Sequence, residues 1–237
     1  MEHDQLFKML VSSGIPIDEQ RFSVLLRYAD LLFESNKQFN LTGFKTSEDI
    51  LNKLIITSLA PFCHLDVPRG TSFLDIGTGA GIPGIPLAVC FENLEGMLLD
   101  SNGKKISFID TVIRELGIKN LRTTCSRAED LGHDESFRES YDRVFMRAVG
   151  NMYASIELGA PFVRQGGVFY VYSNQKGNGL APGIVEHARA LGLDLCGNSE
   201  GEGILFVKKY ITEKRYPRRY SVIKREAGKF IAGLKGE

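Results

Sequence analysis

Gly77, Gly79, Gly81 and Gly84 all fall within FLDIGTGAGIPGIPLAV, the stretch from Phe73 to Val89. Glycine at that density gives a backbone that takes left-handed angles and that another molecule can approach without meeting a Cβ. The stretch opens on a short apolar run and closes on a second one, so the loop belongs between a strand and a helix, whose first N–H groups have no partner within the helix. Asp75 stands just before the glycines. Asp100 lies 21 residues beyond Gly79, where a carboxylate can accept both hydroxyls of a ribose. These residue types at these spacings suit a nucleotide or nucleoside, because a purely structural turn has little need of so many glycines. His3, His64, His133 and His187 stand in no such pattern, and each is expected to be a surface or satisfied core histidine.

The elements that position these residues can be read from periodicity. In DEQRFSVLLRYADLLFESNKQF, Phe22, Leu25, Leu26, Ala29, Leu32 and Phe33 share one helical face, with Asp18 as N-cap. A second helix is expected after NLTGFKTS, with Ser47 as N-cap and a face of Ile50, Leu51, Leu54, Ile55 and Leu59. From Thr71 onward, short apolar runs alternate with amphipathic stretches. Strands are predicted at Ser72–Ile76, Leu94–Asp100, Leu121–Cys125, Tyr141–Val149, Gly167–Ser173, near Leu193 and at Ile204–Tyr210. Helices are predicted at Gly84–Phe91, Lys104–Leu116, Met152–Phe162 and Gly183–Leu191. This alternation predicts an α/β fold of βαβ units around a largely parallel sheet, with the last two strands as a closing hairpin. The glycine loop then lies at the carboxyl edge of the sheet, where open α/β sheets bind ligands. The organisation expected is a helical extension over 1–68, a Rossmann-like domain over 69–210 and a basic tail over 211–237.

The chain has 237 residues, 43% hydrophobic and 24% charged, as in an ordinary globular protein. No apolar run reaches membrane-spanning length, and MEHDQLFKML lacks the apolar core of an export signal, so a cytoplasmic protein without a membrane partner is expected. Cys63, Cys90, Cys125 and Cys196 form no CxxC pair, which argues for buried free thiols and against a structural metal. The net charge of zero hides an asymmetry. Residues 208 to 235 hold ten Lys or Arg against two Glu, out of 29 basic and 29 acidic residues in all. A basic end on an acidic body fits a polyanionic partner, and a merely solvated tail is the alternative reading.

The glycine stretch can be framed in two ways. From Gly79, GAGIPG matches the dinucleotide fingerprint GxGxxG and permits a nicotinamide-dependent oxidoreductase. From Gly77, GTGAG preceded by Asp75 resembles the first motif of class I S-adenosylmethionine-dependent methyltransferases. The strand should stop at Ile76, which puts Gly77 at the turn and favours the second framing. Asp75 would then point into the pocket, where the cationic end of adenosylmethionine gains from a negative charge and a pyrophosphate would not. SRAED at 126 to 130 follows the third strand, where such enzymes grip the adenine; a helix N-cap at Ser126 with Glu129 completing a capping box is the structural alternative.

NLTGF at 40 to 44, DIGTGAGIPGIPLA at 75 to 88, LLDSNGKKISFI at 98 to 109, SRAED, RAVG at 147 to 150 and YPRRYSVIKRE at 216 to 226 occur in this order. Together they resemble the small-subunit ribosomal RNA guanine-N7 methyltransferase G family, also called glucose-inhibited division protein B. The resemblance implies a seven-stranded class I methyltransferase fold, S-adenosylmethionine as cofactor, and small-subunit (16S) ribosomal RNA or a ribosomal particle as partner, with a monomer expected. It also implies cofactor-binding roles for Asp75, Gly77, Gly79, Gly81, Ile82, Asp100, Ser101, Asn102, Ala128, Glu129 and Arg147. Guanine N7 carries no proton, so no general base is required; Asn40, Asp75 and Arg147 are the candidates for positioning. Arg215, Arg218, Arg219, Lys224 and Arg225 are the candidates for binding RNA, with Lys208, Lys209 and Lys214 adding charge and Tyr216 and Tyr220 available for stacking. The chain departs from the family in places. Leu54 and Thr57 stand where a His and an Asp are usual, and Ser173 and Asn174 replace a LysGly unless Lys176 and Gly177 take that role. Ser221, Ile223 and Ala227 replace a later Gly and prolines. A noncatalytic RNA-binding relative is the reading those departures would favour.

Overall fold

The computed structural model describes residues 3–63, 67–147, 150–173, 180, 182–199 and 203–234. The chain forms two compact units, Met1–Cys125 and Ser126–Glu237.

The first unit begins with α1 (His3–Ser12) and α2 (Glu19–Phe39). Asp18 caps α2 as expected, accepting from the Arg21 N–H at 2.8 Å. Phe22, Leu25, Tyr28, Ala29, Leu31 and Leu32 form its buried face. A helical run then joins α3 (Ser47–Ile50), a π-helical turn at Leu51–Ile55 and α4 (Ile56–Leu59). Its N-cap is Thr46 rather than Ser47: the Thr46 hydroxyl accepts from the Asp49 N–H, while Ser47 donates across to Asp30 at 2.6 Å. Leu54 and Thr57 lie in and just after the π-turn, with the Thr57 hydroxyl bonded to the Lys53 carbonyl.

Next come β1 (Ser72–Ile76), α5 (Gly84–Cys90), β2 (Glu95–Asp100), α6 (Gly103–Leu116) and β3 (Leu121–Cys125). The three strands are parallel in the order β3-β2-β1, with Ile76 beside Leu99 and Asp100 beside Cys125. Phe73 to Ile76 are all buried, the mark of a strand covered on both faces. Every residue of α5 is buried, whereas α6 buries only the stripe Ile106, Phe108, Ile109 and Val112. The Asn102 side chain caps α6 at the Lys104 N–H, and Gly117 closes it in the left-handed region that glycine enters freely.

The second unit holds α7 (Ala128–Leu131), β4 (Tyr141–Arg147), α8 (Met152–Gly159), β5 (Val163–Tyr172), α9 (Pro182–Ala190), β6 (Leu193–Ser199), β7 (Gly203–Lys208) and α10 (Tyr220–Leu234). Here the order is β4-β5-β7-β6, with β4 and β5 parallel and β7 antiparallel to both its neighbours. The closing hairpin is present, and its second strand is inserted between β5 and β6. β5 starts at Val163, four residues before the predicted start, because Val163 pairs with Tyr141 ahead of a register shift in which β5 carries the extra residues.

The residues after 210 form an anchored segment and then a fifteen-residue helix, α10, which buries Ile223 and Ala227 completely. Two expectations need correction. The N-cap of α7 is Arg127 without a side-chain cap, so Ser126 and Glu129 form no capping box. Of the cysteines only Cys90 is buried, its thiol pushed up to about 12 by desolvation; Cys63 is half-buried, and Cys125 and Cys196 are exposed at strand positions whose side chains face solvent.

Candidate active site

In the first unit, β1 ends at Ile76 and the chain turns at once through Gly77, Gly79 and Gly81, with φ of 69°, 62° and 98°. The loop stays attached to β2, since the N–H groups of Gly77 and Thr78 both donate to the Leu99 carbonyl, at 2.8 and 3.0 Å. Two carboxylates fix its path. Asp75, fully buried, accepts from the Thr78 hydroxyl at 2.6 Å and from the Gly84 N–H at the start of α5 at 3.1 Å. Asp100, at the end of β2, accepts from the Gly79 N–H at 3.0 Å and from the Asn102 N–H at 2.9 Å, with the Lys105 ammonium at 3.5 Å.

The glycines differ in purpose. A Cβ on Gly84 would lie 2.1 Å from Leu98 Cδ2, and one on Gly81 would lie 2.4 Å from Ile85 Cδ1, so both are bare because the protein itself packs there. A Cβ on Gly79 would meet only the Gly77 carbonyl, at 3.8 Å, so it would project into open space. That open space borders Asp100, and each Asp100 oxygen keeps acceptor capacity beyond its one backbone bond. Ser101 and Asn102 are exposed beside it, and Ile82 is buried under the loop. An open glycine face next to a carboxylate at a strand end fits a ribose-bearing cofactor.

Asp75 has a structural task at its Oδ2 oxygen. Its hydrogen bonds run to Thr78 and Gly84, so it braces the loop and the start of α5. Asn40 is the left-handed C-cap of α2, with φ 51°, and is exposed; the loop after it is organised by Asn36, which bonds the backbone of Thr42 and Phe44. Tyr28 escaped the sequence reading altogether. It is fully buried in α2, and its hydroxyl donates to the Ala80 carbonyl at 2.7 Å. Its place on the apolar face of α2 was the only signal available.

In the second unit, Ala128 and Glu129 open α7, half-buried. Arg147 ends β4 with its guanidinium 5.4 Å from the centre of the Tyr172 ring. Ser173 follows the end of β5, while Asn174, Lys176 and Gly177, like Val149 and His64, lie outside the described residues. His187 stacks on Tyr153 at 3.6 Å and His133 contacts the Pro217 carbonyl, both structural.

The basic residues divide sharply. Lys208 is fully buried; its ammonium bonds the Ala160 carbonyl and the Thr212 hydroxyl and lies 3.3 Å from Glu139. Arg218 clamps the buried Glu157 with the Nε–Nη2 edge of its guanidinium, at 2.9 and 2.7 Å, and with its own N–H at 3.0 Å, and this pairing raises its pKa further. Lys208 is thus turned inward, and Arg218 is committed to Glu157 along one edge of its guanidinium. Tyr216 is half-buried between the guanidinium groups of Arg215 and Arg218, so it is no open stacking platform. Arg138, not singled out by the sequence, donates to the carbonyls of Gly132, Tyr216, Thr212 and Glu213 and anchors the segment ahead of α10. Arg215, Arg219, Lys224 and Arg225 are exposed.

A parallel β–glycine loop–α unit with an acid at the end of the second strand, followed by an antiparallel β7, defines a class I S-adenosylmethionine-dependent methyltransferase. The fold is shared with a 16S rRNA (adenine(1408)-N(1))-methyltransferase from Catenulisporales acidiphilia, at 14% identity and TM-score 0.50 over 61% of this chain and 88% of that one. It is shared also with a chain from the complex of the Haloferax volcanii Trm112 methyltransferase activator, at 13% identity and TM-score 0.53 over 76% and 98%. The chain belongs to the rRNA small subunit methyltransferase G family, which its residues 21–194 match. It is 34% identical to the ribosomal RNA small subunit methyltransferase G of Oenococcus oeni over 94% of this chain and 96% of that one, and 35% identical to that of Clostridium beijerinckii over 93% and 96%. The chain is an S-adenosylmethionine-dependent enzyme by that membership.

Proposed function

We propose that this protein methylates N7 of a guanine in small-subunit ribosomal RNA, in the cytoplasm, and that the glycine loop with Asp100 holds the cofactor. The open face at Gly79 beside Asp100 is the observation that carries the reading. S-adenosylmethionine supplies an electrophilic methyl on a sulfonium, which a ring nitrogen without a proton can take directly. The protein therefore needs no base, and its work is to position and to shape the electrostatics. Asp100 offers acceptors for the ribose, and Gly77, Gly79 and Gly81 leave the backbone open to it; Ile82, Ser101 and Asn102 border the same loop and strand end. Asp75 holds the loop, and its charge lies under the glycines. Ala128, Glu129 and Arg147 are assigned to the cofactor, and Asn40 to the substrate side, by the family resemblance alone.

Lys224 and Arg225 on the exposed side of α10, and Arg219 just before it, supply phosphate contacts, with Arg215 close to them in sequence. A Cβ on Gly150, three residues past β4, would lie 3.4 Å from the Tyr220 hydroxyl, so the start of α10 stands near the strand end that carries Arg147. We retain 1–68 as an extension, 69–210 as the catalytic domain and 211–237 as a basic C-terminal region. The deciding experiment is methyl transfer from labelled cofactor to naked small-subunit RNA and to intact particles, with mapping of the modified base. Label on any position other than a guanine N7, or none in a protein that binds the cofactor, would overturn the proposal. Saturable NADH binding would instead favour the dinucleotide framing.

A further inference from the structure

The loop from Gly77 to Gly84 is held by three side chains. Two of them, Asp75 and Asp100, belong to the strands that carry the loop. The third, Tyr28, comes from α2, which lies before the sheet in sequence and contributes no strand to it. A buried tyrosine hydroxyl requires a partner, and a phenylalanine would fill the same apolar space without that requirement. The partner here is the Ala80 carbonyl at 2.7 Å, on the residue between the two glycines that matter most. Gly79 on one side presents the open face, and its N–H is held by Asp100; Gly81 on the other side sits where a Cβ would come within 3.3 Å of the Tyr28 oxygen. The peptide that Tyr28 grips is therefore the one joining the ligand-facing half of the loop to its buried half.

The helix that carries Tyr28 is fixed to the other arm of the site as well. Arg27 pairs with Glu115 of α6 at 2.5 Å, and α6 is the helix that begins three residues after Asp100. Arg21 pairs with Glu92, just past α5, at 2.9 Å. We propose that Tyr28 is a positioning residue for the cofactor: its hydroxyl sets the Ala80 peptide, and through it the open face of Gly79, so that α2 is a working part of the cofactor site. The inference rests on the assignment of the glycine loop and Asp100 to the cofactor.

Because coupling is reciprocal, occupancy of the site must also tighten α2. The test compares Tyr28→Phe, Leu25→Ala and Asp100→Ala with the full-length wild type, using S-adenosylhomocysteine as the probe. Calorimetry gives affinity, and hydrogen–deuterium exchange over residues 19–39 gives the coupling. Tyr28→Phe keeps the ring and loses one hydrogen bond, so it should raise Kd about three- to tenfold. It should also abolish the slowing of exchange in α2 that the ligand causes in the wild type. Leu25 is fully buried on the same helix and is apolar, so its truncation removes packing while leaving the Tyr28–Ala80 hydrogen bond in place. Leu25→Ala should lower stability yet leave Kd within about twofold at a temperature where the variant is folded. Wild-type affinity in Tyr28→Phe, or an equal loss of affinity in Leu25→Ala, overturns the proposal. If Asp100→Ala weakens binding while Tyr28→Phe does not, only the brace is wrong; if Asp100→Ala binds normally, the cofactor assignment beneath it is wrong.

Discussion

Asp100 accepts from two backbone N–H groups, at Gly79 and Asn102, while bordering the open face of the loop. Asp100→Ala should therefore weaken S-adenosylmethionine binding by about 1.5–3 kcal/mol, the range for hydrogen bonds to a charged group. Calorimetry on the folded variant checks this, and unchanged affinity would remove Asp100 from the site. Gly79 is open enough to accept a side chain, but its φ of 62° is one that a β-branched residue tolerates poorly. Valine there would cost stability as well as binding. Gly79→Asn is the cleaner variant, because asparagine enters the left-handed region readily; it should remain folded and lose cofactor affinity. Lys208 carries a pH dependence of its own. Burial lowers its pKa from the ordinary 10.5 to about 8, against the opposing pull of Glu139. Between those values the unfolded chain holds a proton that the folded chain has released, so this group makes stability rise as pH climbs from 8 to 10.5. Denaturation midpoints across that range should rise in the wild type relative to Lys208→Met, and parallel curves would refute the assignment.

At the scale of elements, the segment from Tyr210 to α10 shows how position divides one basic sequence into two kinds of residue. Arg138 gathers four carbonyls and Glu157 receives Arg218, so the approach to α10 is fastened to the second unit. Glu157 is fully buried, and removing its partner leaves a carboxylate without compensation. Arg218→Ala should cost about 3 kcal/mol of stability, measured by urea denaturation. A variant as stable as the wild type would show that the pair contributes nothing net. The exposed cations of α10 behave otherwise, since surface substitutions away from such features change stability little. The departures at Ser221, Ile223 and Ala227 also find a reason here: they lie on a helix, and Ile223 and Ala227 form its buried stripe.

For the whole molecule, equal totals of 29 basic and 29 acidic residues leave no general attraction to RNA, so any phosphate binding must come from local surface. Changing Arg219, Lys224 and Arg225 together to Ala should leave cofactor affinity and stability unchanged. RNA affinity should fall, and the slope of log affinity against log salt should shrink by about two, as expected for three contacts on unpaired RNA. Isotherms at three salt concentrations measure this. A slope identical to the wild type would place the RNA on other residues.

Much of this was legible in the amino-acid sequence because it is local. The alternation of apolar runs placed β1 and β3 at their observed ends, and the glycines announced a tight loop between β1 and α5. Asp100 was found by its spacing, since βαβ geometry fixes the distance from the loop to the next strand end. What only the tertiary structure decided were the partners of long side chains, because a charge in a sequence carries no record of what it will face. Lys208 and Arg218 read as members of a basic tail, and folding set them against Glu139 and Glu157, 69 and 61 residues away. Asp75 was placed beside the glycines by its sequence, and only the packed loop showed that it ties down Thr78 and Gly84. Tyr28 drew no notice in the sequence, and only packing carried its hydroxyl to a carbonyl 52 residues further along the chain. Periodicity reports which face of an element is buried; only the packed molecule determines which polar atom waits on the other side.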